Sequence, residues 1–337
     1  MSLNLASIIR YFPLLILAFF VFCCGGKKGK LEEQIPARVV KVPVFNSDSA
    51  YYFTEAQVAL GPRVPNTPPH TEAGNYLAAR LKEYGAQVTV QEFEATTYDG
   101  QRLTLRNIIA TYFPGKQKRI LLAAHWDTRP FADKDAQAPN AKFDGANDGA
   151  SGVGVLLEIA RVLGKNIPPD VGIDIIFFDG EDWGEKDNAV NRISLPPGLN
   201  SWWCLGSQHW SKNKHKRNYS AYYGILLDMV GAKGAHFFQE GYSQEYAPRI
   251  VEKTWAIASR LGYSSIFVRQ KEAAITDDHV FVNEIGKIPM IDIVHFDPIL
   301  GYFGDFHHNR KDAMALISKE TLGVVGNVIL NVIYYEE

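Results

Sequence analysis

Acidic and histidine side chains recur where apolar runs of the chain give out. His125 and Asp127 follow RILLAA, Asp148 sits in DGANDGASG, Glu181 and Asp182 follow IDIIFFDG, Asp228 ends YGILLD, and His308 lies in FHHNRKD. Groups so far apart in sequence meet only if the fold gathers strand ends at one rim, where open α/β sheets bind ligands. Such donors, collected at one rim, read as a hydrolase-like zinc site. A catalytic zinc takes about three ligands of these types and keeps one position open, and Asp148, Asp182 and His308 supply them. Singly, each has a plainer reading: Asp148 as a helix cap, Asp182 as a turn residue, His308 as half of a solvated pair. Their joint occurrence beside apolar elements favours the site. Glu181 next to Asp182 sharpens it, because neighbouring carboxylates leaving one strand diverge. One can hold metal while the other works as general base and acid. Asp228 and the Asp277–Asp278 pair in TDDHVF add further carboxylates. Crowded, partly buried acids raise at least one pKa and favour shared protons, although helix-start acids facing the dipole explain Asp277–Asp278 equally well.

Other chemistries are poorly served. The chain has no G-x-S-x-G elbow, no G-x-x-x-x-G-K-[ST] phosphate loop and no Cys–His motif around Cys204. GVGVLLEIA reads as glycine allowing close helix packing, not as a dinucleotide site. A net charge of −2 without long basic runs gives no reason to expect nucleic acid.

The elements that must position these residues follow from periodicity. A chain of 337 residues, 46% hydrophobic and 21% charged, has room for one large α/β domain. Helical spacing marks residues 67–84. Strand alternation marks Gln87–Phe93, Leu105–Tyr112 and Arg119–Ala124, the last two joined by a turn at Pro114–Gly115 and expected to form hairpins ahead of the parallel strands. A helix over 151–163, with Ser151 as cap and Gly164 as stop, leads into Ile173–Phe178, an apolar run of the kind buried on both faces. Further strands are expected at Tyr223–Met229, Ile266–Arg269 and Pro289–Val294, and helices at Gly206–Lys214, Glu245–Leu261, Asp278–Glu284 and Lys319–Tyr335. The alternation implies a single α/β domain with a central mixed, mostly parallel sheet flanked by helices.

The N-terminus is different. Arg10 precedes an apolar stretch, Tyr11–Cys24, that is short for a spanning helix and typical of a signal-peptide core. Cys23 and Cys24 suggest a lipoprotein-type anchor. The expected organisation is an anchor over residues 1–24, a tether over 25–48 and a catalytic domain over 49–337. The domain is expected to be exported and membrane-anchored, facing the bacterial periplasm, although Lys27, Lys28 and Lys30 pull the other way. Only Cys204 lies in the domain, so it forms no internal disulfide.

The segments HWDTRPFADKD, FDGANDGASGVGVLLEIARVL, IIFFDGEDWGE, GSQHW, LLDMVGA, DDHVFVNEIGKIPMIDIVHFD and HHNRKD, in this order, resemble the zinc aminopeptidase superfamily and, within it, the bacterial members of the animal-type glutaminyl cyclase branch. The resemblance covers about residues 50–335. It implies a peptidase-like α/β fold, one zinc per chain, and conversion of N-terminal glutaminyl residues of peptides and proteins to pyroglutamyl with loss of ammonia. It makes Asp148, Asp182 and His308 the zinc ligands, Glu181 the proton shuttle, and Asp228 and Asp277 the supporting carboxylates. His125 and His295 stand behind them. His308 is preferred to His307 as ligand because the family's final motif has an Asp four residues on, here Asp312. His307 then lines the substrate pocket. Asp182 departs from the animal cyclases, which have Glu there. The long Trp183–Trp203 stretch leaves the aromatic wall open among Trp183, Trp202 and Trp203, with Trp183 and Trp202 the expected members. A monomer is expected. The rival reading is a two-zinc aminopeptidase, because His125, Asp148, Asp182, Asp228 and His308 fill all five positions that such an enzyme uses.

Overall fold

The computed structural model describes residues 40–186, 189–190 and 192–336. The expected anchor and most of the expected tether lie outside the described residues. The helices are α1 (Ser47–Ala59), α2 (Pro68–Glu83), α3 (Ala150–Lys165), α4 (Leu205–Lys212), α5 (Gly241–Tyr246), α6 (Pro248–Arg260), α7 (Asp278–Glu284) and α8 (Lys319–Tyr334). The strands are β1 (Gln87–Thr96), β2 (Arg102–Tyr112), β3 (Arg119–His125), β4 (Gly172–Phe178), β5 (Tyr223–Asp228), β6 (Phe237–Gln239), β7 (Phe267–Lys271) and β8 (Met290–Val294).

Six strands form one mixed sheet in the order β1-β2-β4-β3-β5-β8, and β6 and β7 form a separate parallel pair. β1 and β2 make an antiparallel hairpin, and β2 also runs antiparallel to β4, whereas β4, β3, β5 and β8 are mutually parallel. β2 and β3 therefore do not pair as the turn at Pro114–Gly115 suggested. β4 lies between them, because both edges of β3 are taken by parallel partners.

Every residue of β3, β4 and β5 is buried, as central strands covered on both faces require. Their side chains alternate between two cores. Ile120, Leu122 and Ala124 join the core shared with Val153, Leu157, Val251 and Val325 from α3, α6 and α8. Leu121 and Ala123 face the other way, toward Trp210 of α4 and Val282 of α7. The two glycines in GVGVLLEIA make close packing on both sides of α3 feasible. A Cβ on Gly152 would lie 2.2 Å from the Leu227 carbonyl oxygen of β5, and one on Gly154 would lie 2.2 Å from Thr54 Oγ1 of α1.

Several boundaries differ from the sequence expectation. Ser151 is inside α3, its Oγ donating to Asn147 O at 2.6 Å, while Gly149 (φ 89°) takes the cap position and the helix runs past Gly164 to Lys165. Pro248 splits the single helix expected over 245–261 into α5 and α6, since proline lacks the N–H and clashes with the preceding turn. The ordered fold also begins before Ser49. Phe45 belongs to the main core, and Asn46 caps α1 through Ser49 N (3.0 Å) while its own N–H donates to Glu158 Oε1 (3.0 Å).

Candidate active site

The parallel strands bring their carboxyl ends to one level. His125 ends β3 opposite Phe178 of β4, and Ala123 pairs with Leu226, which sets Asp228 beside His125. His125 Nε2 lies 3.0 Å from Asp148 Oδ1 and 3.1 Å from Asp228 Oδ1. Asp148 arrives on the loop before α3, whose backbone is held by Asp312: its two oxygens accept Asn147 N at 2.6 Å and Asp148 N at 3.0 Å. Asp127 does the same for the acidic pair, accepting Glu181 N at 3.1 Å and Asp182 N at 3.2 Å. Arg129 braces Asp182 by donating from its backbone N to Oδ2 (3.1 Å) and from its guanidinium to the Asp182 carbonyl (3.0 Å). Its other nitrogens fork onto Asp133.

His308 closes the group, with Nε2 at 2.9 Å from Asp182 Oδ1 and 3.7 Å from Asp148 Oδ2. Burial, with Arg129 adding to it, pulls this imidazole down to about 3, so the ring is neutral at physiological pH. Nδ1 faces Asp133 at 3.6 Å, and a proton there leaves the Nε2 lone pair turned toward carboxylate oxygens. Burial and the neighbouring Asp148 push the Asp182 carboxyl well up. A lone pair facing two buried carboxylates fits a cation, and the donor types fit zinc. His307 stacks on His308 at 3.6 Å between ring centroids, and a nitrogen of its ring also lies within 4.8 Å of donors from Asp148 and His308. Asp182 is brought directly to His308.

Glu181 sits beside this group with a different set of neighbours. Its Oε1 lies 3.2 Å from Cys204 Sγ, and donor atoms of Glu181, Cys204 and Asp277 are all within 4.8 Å of one another. Burial raises the Glu181 carboxyl well above its ordinary range, the charge of His125 opposing and that of Asp277 adding to the rise. Burial likewise lifts Asp228 to about 7 against its hydrogen bond to His125. A buried pair at the opposite end of β4 shows the contrast. There Asp174 is met by Arg119 at 2.5 Å and by Tyr219 Oη at 2.8 Å, a satisfied structural cluster.

A cavity of about 280 Å³ opens over these acids, lined by Asp148, Glu181, Asp182, Asp228, Asp277 and His308, with Trp203, Tyr302, Phe303 and His307 among its walls. Three non-glycine residues with left-handed backbone border the site: Met229 (φ 48°) and His308 (φ 50°) on the wall, and Cys204 (φ 59°) against Glu181. Such conformations cost on the order of 1–3 kcal/mol each and gather at functional sites.

The aromatic assignments need correction. Trp203 is the tryptophan on the wall, parallel to the His308 ring at 6.0 Å and 4.7 Å from the Arg129 guanidinium. Trp183 turns away into a small core with Val64, Phe93 and Leu205. Trp202 is buried but does not line the cavity. The reason is the way the excursion returns: Cys204 N donates to Glu181 O (2.9 Å) and Leu205 N to Gly180 O (3.0 Å), placing the residue just before the closure over the site. His295 also lies apart, accepting from His236 N at 3.1 Å and stacking on Phe306. Sequence reasoning passed over Tyr302, Phe303, Arg129 and the contact of Cys204 with Glu181. The aromatic pair in GYFGDFHH, so close to His308, was the available signal.

The family model described as Peptidase family M28 matches residues 107–333, from β2 to the last helix. The chain belongs to this family. Within M28, the crystal structure of Bacteroides thetaiotaomicron glutaminyl cyclase bound to N-acetylhistamine superposes with a TM-score of 0.83 at 48% identity, covering 88% of this chain and 100% of that one. A Tannerella forsythia glutaminyl cyclase matches with the same TM-score of 0.83, identity of 48% and coverages of 88% and 100%. Glutaminyl-peptide cyclotransferase of Drosophila melanogaster is 27% identical over 202 residues, covering 57% of this chain and 51% of that protein. This chain thus spans about half the length of the curated relatives it matches.

Proposed function

We propose that this M28 protein is a zinc-dependent glutaminyl cyclase, an acyltransferase that converts N-terminal glutaminyl residues of peptides and proteins to pyroglutamyl with release of ammonia. The observation that carries the reading is the aromatic-walled cavity of about 280 Å³ lined by Glu181 and Asp277 together with Asp148, Asp182 and His308. Its size suits one side chain folded back on its own amine. The 48% identical cyclases of the same fold support it.

Asp148, Asp182 and His308 would hold the zinc, which when bound supplies Lewis-acid polarisation of the substrate γ-carbonyl. Glu181 takes a proton from the substrate α-amine and returns it to the departing amide nitrogen, a role that its raised carboxyl pKa suits. Ring closure is intramolecular, so Trp203, Phe303 and His307 contribute by holding the folded-back conformer and excluding water. One zinc rather than two is supported by His125, whose Nε2 reaches both Asp148 and Asp228 and compensates their charge.

A two-zinc aminopeptidase is the second reading, favoured by the donor atoms of His125, Asp148 and Asp228 lying within 4.8 Å of one another. Ammonia release from Gln-initiated peptides, with zinc counted in the same preparation, separates the two. About one zinc and cyclisation are expected. Two tightly held zincs with hydrolysis of amino-acid amides would replace the cyclase reading.

A further inference from the structure

Between α1 and α2 the chain reads GPRVP, and its arginine, Arg63, is fully buried. Pro62 and Pro65 stiffen the stretch that carries it. The guanidinium is spent on main-chain carbonyls: Nη1 donates to Asp144 O at 2.5 Å, Nη2 to Gly145 O at 2.6 Å and Nε to Trp126 O at 3.3 Å. The main chain of Arg63 joins the same neighbourhood. Arg63 N donates to Thr128 Oγ1 at 3.3 Å, and Thr128 N donates to Arg63 O at 3.2 Å. Taking a cation out of water is costly, and here the cost is offset by acceptors drawn from two loops, one following β3 and one preceding α3.

Both loops serve the acidic site. On the first, Trp126 lies between His125 and Asp127, and Asp127 accepts the N–H groups of Glu181 and Asp182. On the second, Gly145 O also accepts the first N–H of α3, from Ala150 at 3.3 Å, which closes the turn around Asp148. The loops are packed without slack, for a Cβ on Gly145 would lie 2.8 Å from Thr128 Cγ2 and 2.9 Å from Asp148 O. Asp312 takes the N–H groups of the Asp148 loop and Arg63 takes its carbonyls, so this loop is fixed through both kinds of main-chain group. Arg63 precedes residue 107, where the family match begins.

We infer that Arg63 is a positioning residue for the metal centre: it sets the Asp148 loop against the loop of Asp127 and, through Asp127, against Asp182. This rests on the zinc reading of Asp148, Asp182 and His308. A lysine ammonium cannot span the three carbonyls that the guanidinium fork reaches. Arg63→Lys should therefore weaken zinc binding by roughly 10- to 100-fold, the scale of losing a group that orients metal ligands. Arg119→Lys is the control. Arg119 is also buried and also donates to main-chain carbonyls, Tyr112 O and Ile173 O at 3.0 Å each, but at the opposite end of β4, so its variant should melt lower with zinc affinity kept. Zinc dissociation constants are read by competition with a chromophoric chelator on the zinc-loaded proteins, with a thermal melt of each zinc-free sample. If Arg63→Lys does not fold, Thr128→Val carries the test, since it removes the hydroxyl that accepts Arg63 N and should weaken zinc in the same direction. Wild-type zinc affinity in the variant that carries the test, or an equal loss in Arg119→Lys, overturns the role of Arg63 and leaves the zinc reading standing. A wild-type protein that holds no zinc overturns both.

Discussion

Replacing Glu181 by Gln changes charge with almost no change in shape, at a side chain whose backbone is fixed independently of it. Asp127 holds the Glu181 N–H at 3.1 Å and the Cys204 N–H holds its carbonyl at 2.9 Å, so the variant's main chain should not move. None of the proposed ligand atoms belongs to Glu181, so zinc should stay. Burial disfavours the charged form of this carboxyl, so replacing it by a neutral amide of the same shape should not lower the melting temperature. What disappears is the proton transfer. Loss of a positioned acid–base group costs about 10²–10⁴ in rate, which at about 1.36 kcal/mol per decade is roughly 3–5 kcal/mol of barrier. The assay is ammonia release from a Gln-initiated peptide under saturating conditions, with zinc content and a thermal melt on the same sample. Turnover should collapse while KM, zinc and melting temperature hold. A fall of less than about tenfold with zinc retained would refute the role of Glu181, and loss of zinc would mean that Glu181 and Asp182 have exchanged roles.

His308→Ala should release zinc more readily than His307→Ala, because His308 Nε2 faces both Asp182 and Asp148; equilibrium dialysis against a heterocyclic chelator ranks them, and the reverse order would make His307 the ligand. Trp203→Ala should lower kcat/KM by roughly ten- to a hundredfold, the scale of losing an aromatic wall that bound substrate covers, whereas Trp183→Ala should lower stability with kcat/KM kept. Asp277→Asn should keep zinc and move the acidic limb of the pH–rate profile to lower pH, since the charge of Asp277 contributes to raising Glu181; an unmoved profile with a lower melting temperature would reduce Asp277 to the cap of α7, where it accepts Asp278 N at 2.5 Å. Glu240 offers a test of stability alone. Burial raises it, but its hydrogen bond to His279 and those from Ser243 N and Ile275 N bring it from 4.5 down to about 2. Its contribution, about 3 kcal/mol at about 1.36 kcal/mol per unit, is present above pH 4.5 and lost as pH falls toward 2. Glu240→Gln should therefore melt lower at neutral pH and show a flatter dependence through that window.

The acids of the rim were legible because central strands carry an unmistakable pattern. The run into Phe178 is apolar but for Asp174, so the acids that follow it, Asp179, Glu181 and Asp182, had to stand at its carboxyl end. The same logic located His125 and Asp228. It failed for Trp203, because the stretch from 183 to 203 has no periodicity, and which tryptophan turns inward is fixed by tertiary hydrogen bonds at its return. α1 went unread for a different reason: its buried face includes Thr54 and Gln57, whose donors are satisfied by carbonyls, Thr54 Oγ1 by Ala50 O at 3.0 Å and Gln57 Nε2 by Phe53 O at 2.9 Å and Ala150 O at 3.1 Å. A polar stripe gives no amphipathic signal even when it is buried. His295 follows β8 as His125 ends β3, yet its ring serves the backbone of His236; strand-end position alone does not decide the direction of a side chain.

The closure at Gly180–Glu181 and Cys204–Leu205 makes the intervening segment a replaceable module. Both its ends are pinned by main-chain hydrogen bonds, and doubling the length of a flexible loop costs only about 0.6 kcal/mol of chain entropy. Segments of different length and content could therefore be exchanged here without retuning the acidic pair beneath. Trp203 is the exception. Standing immediately before the pinned return, it belongs to the hinge pin rather than to the door, and grafts that end one residue short of it should keep the aromatic wall.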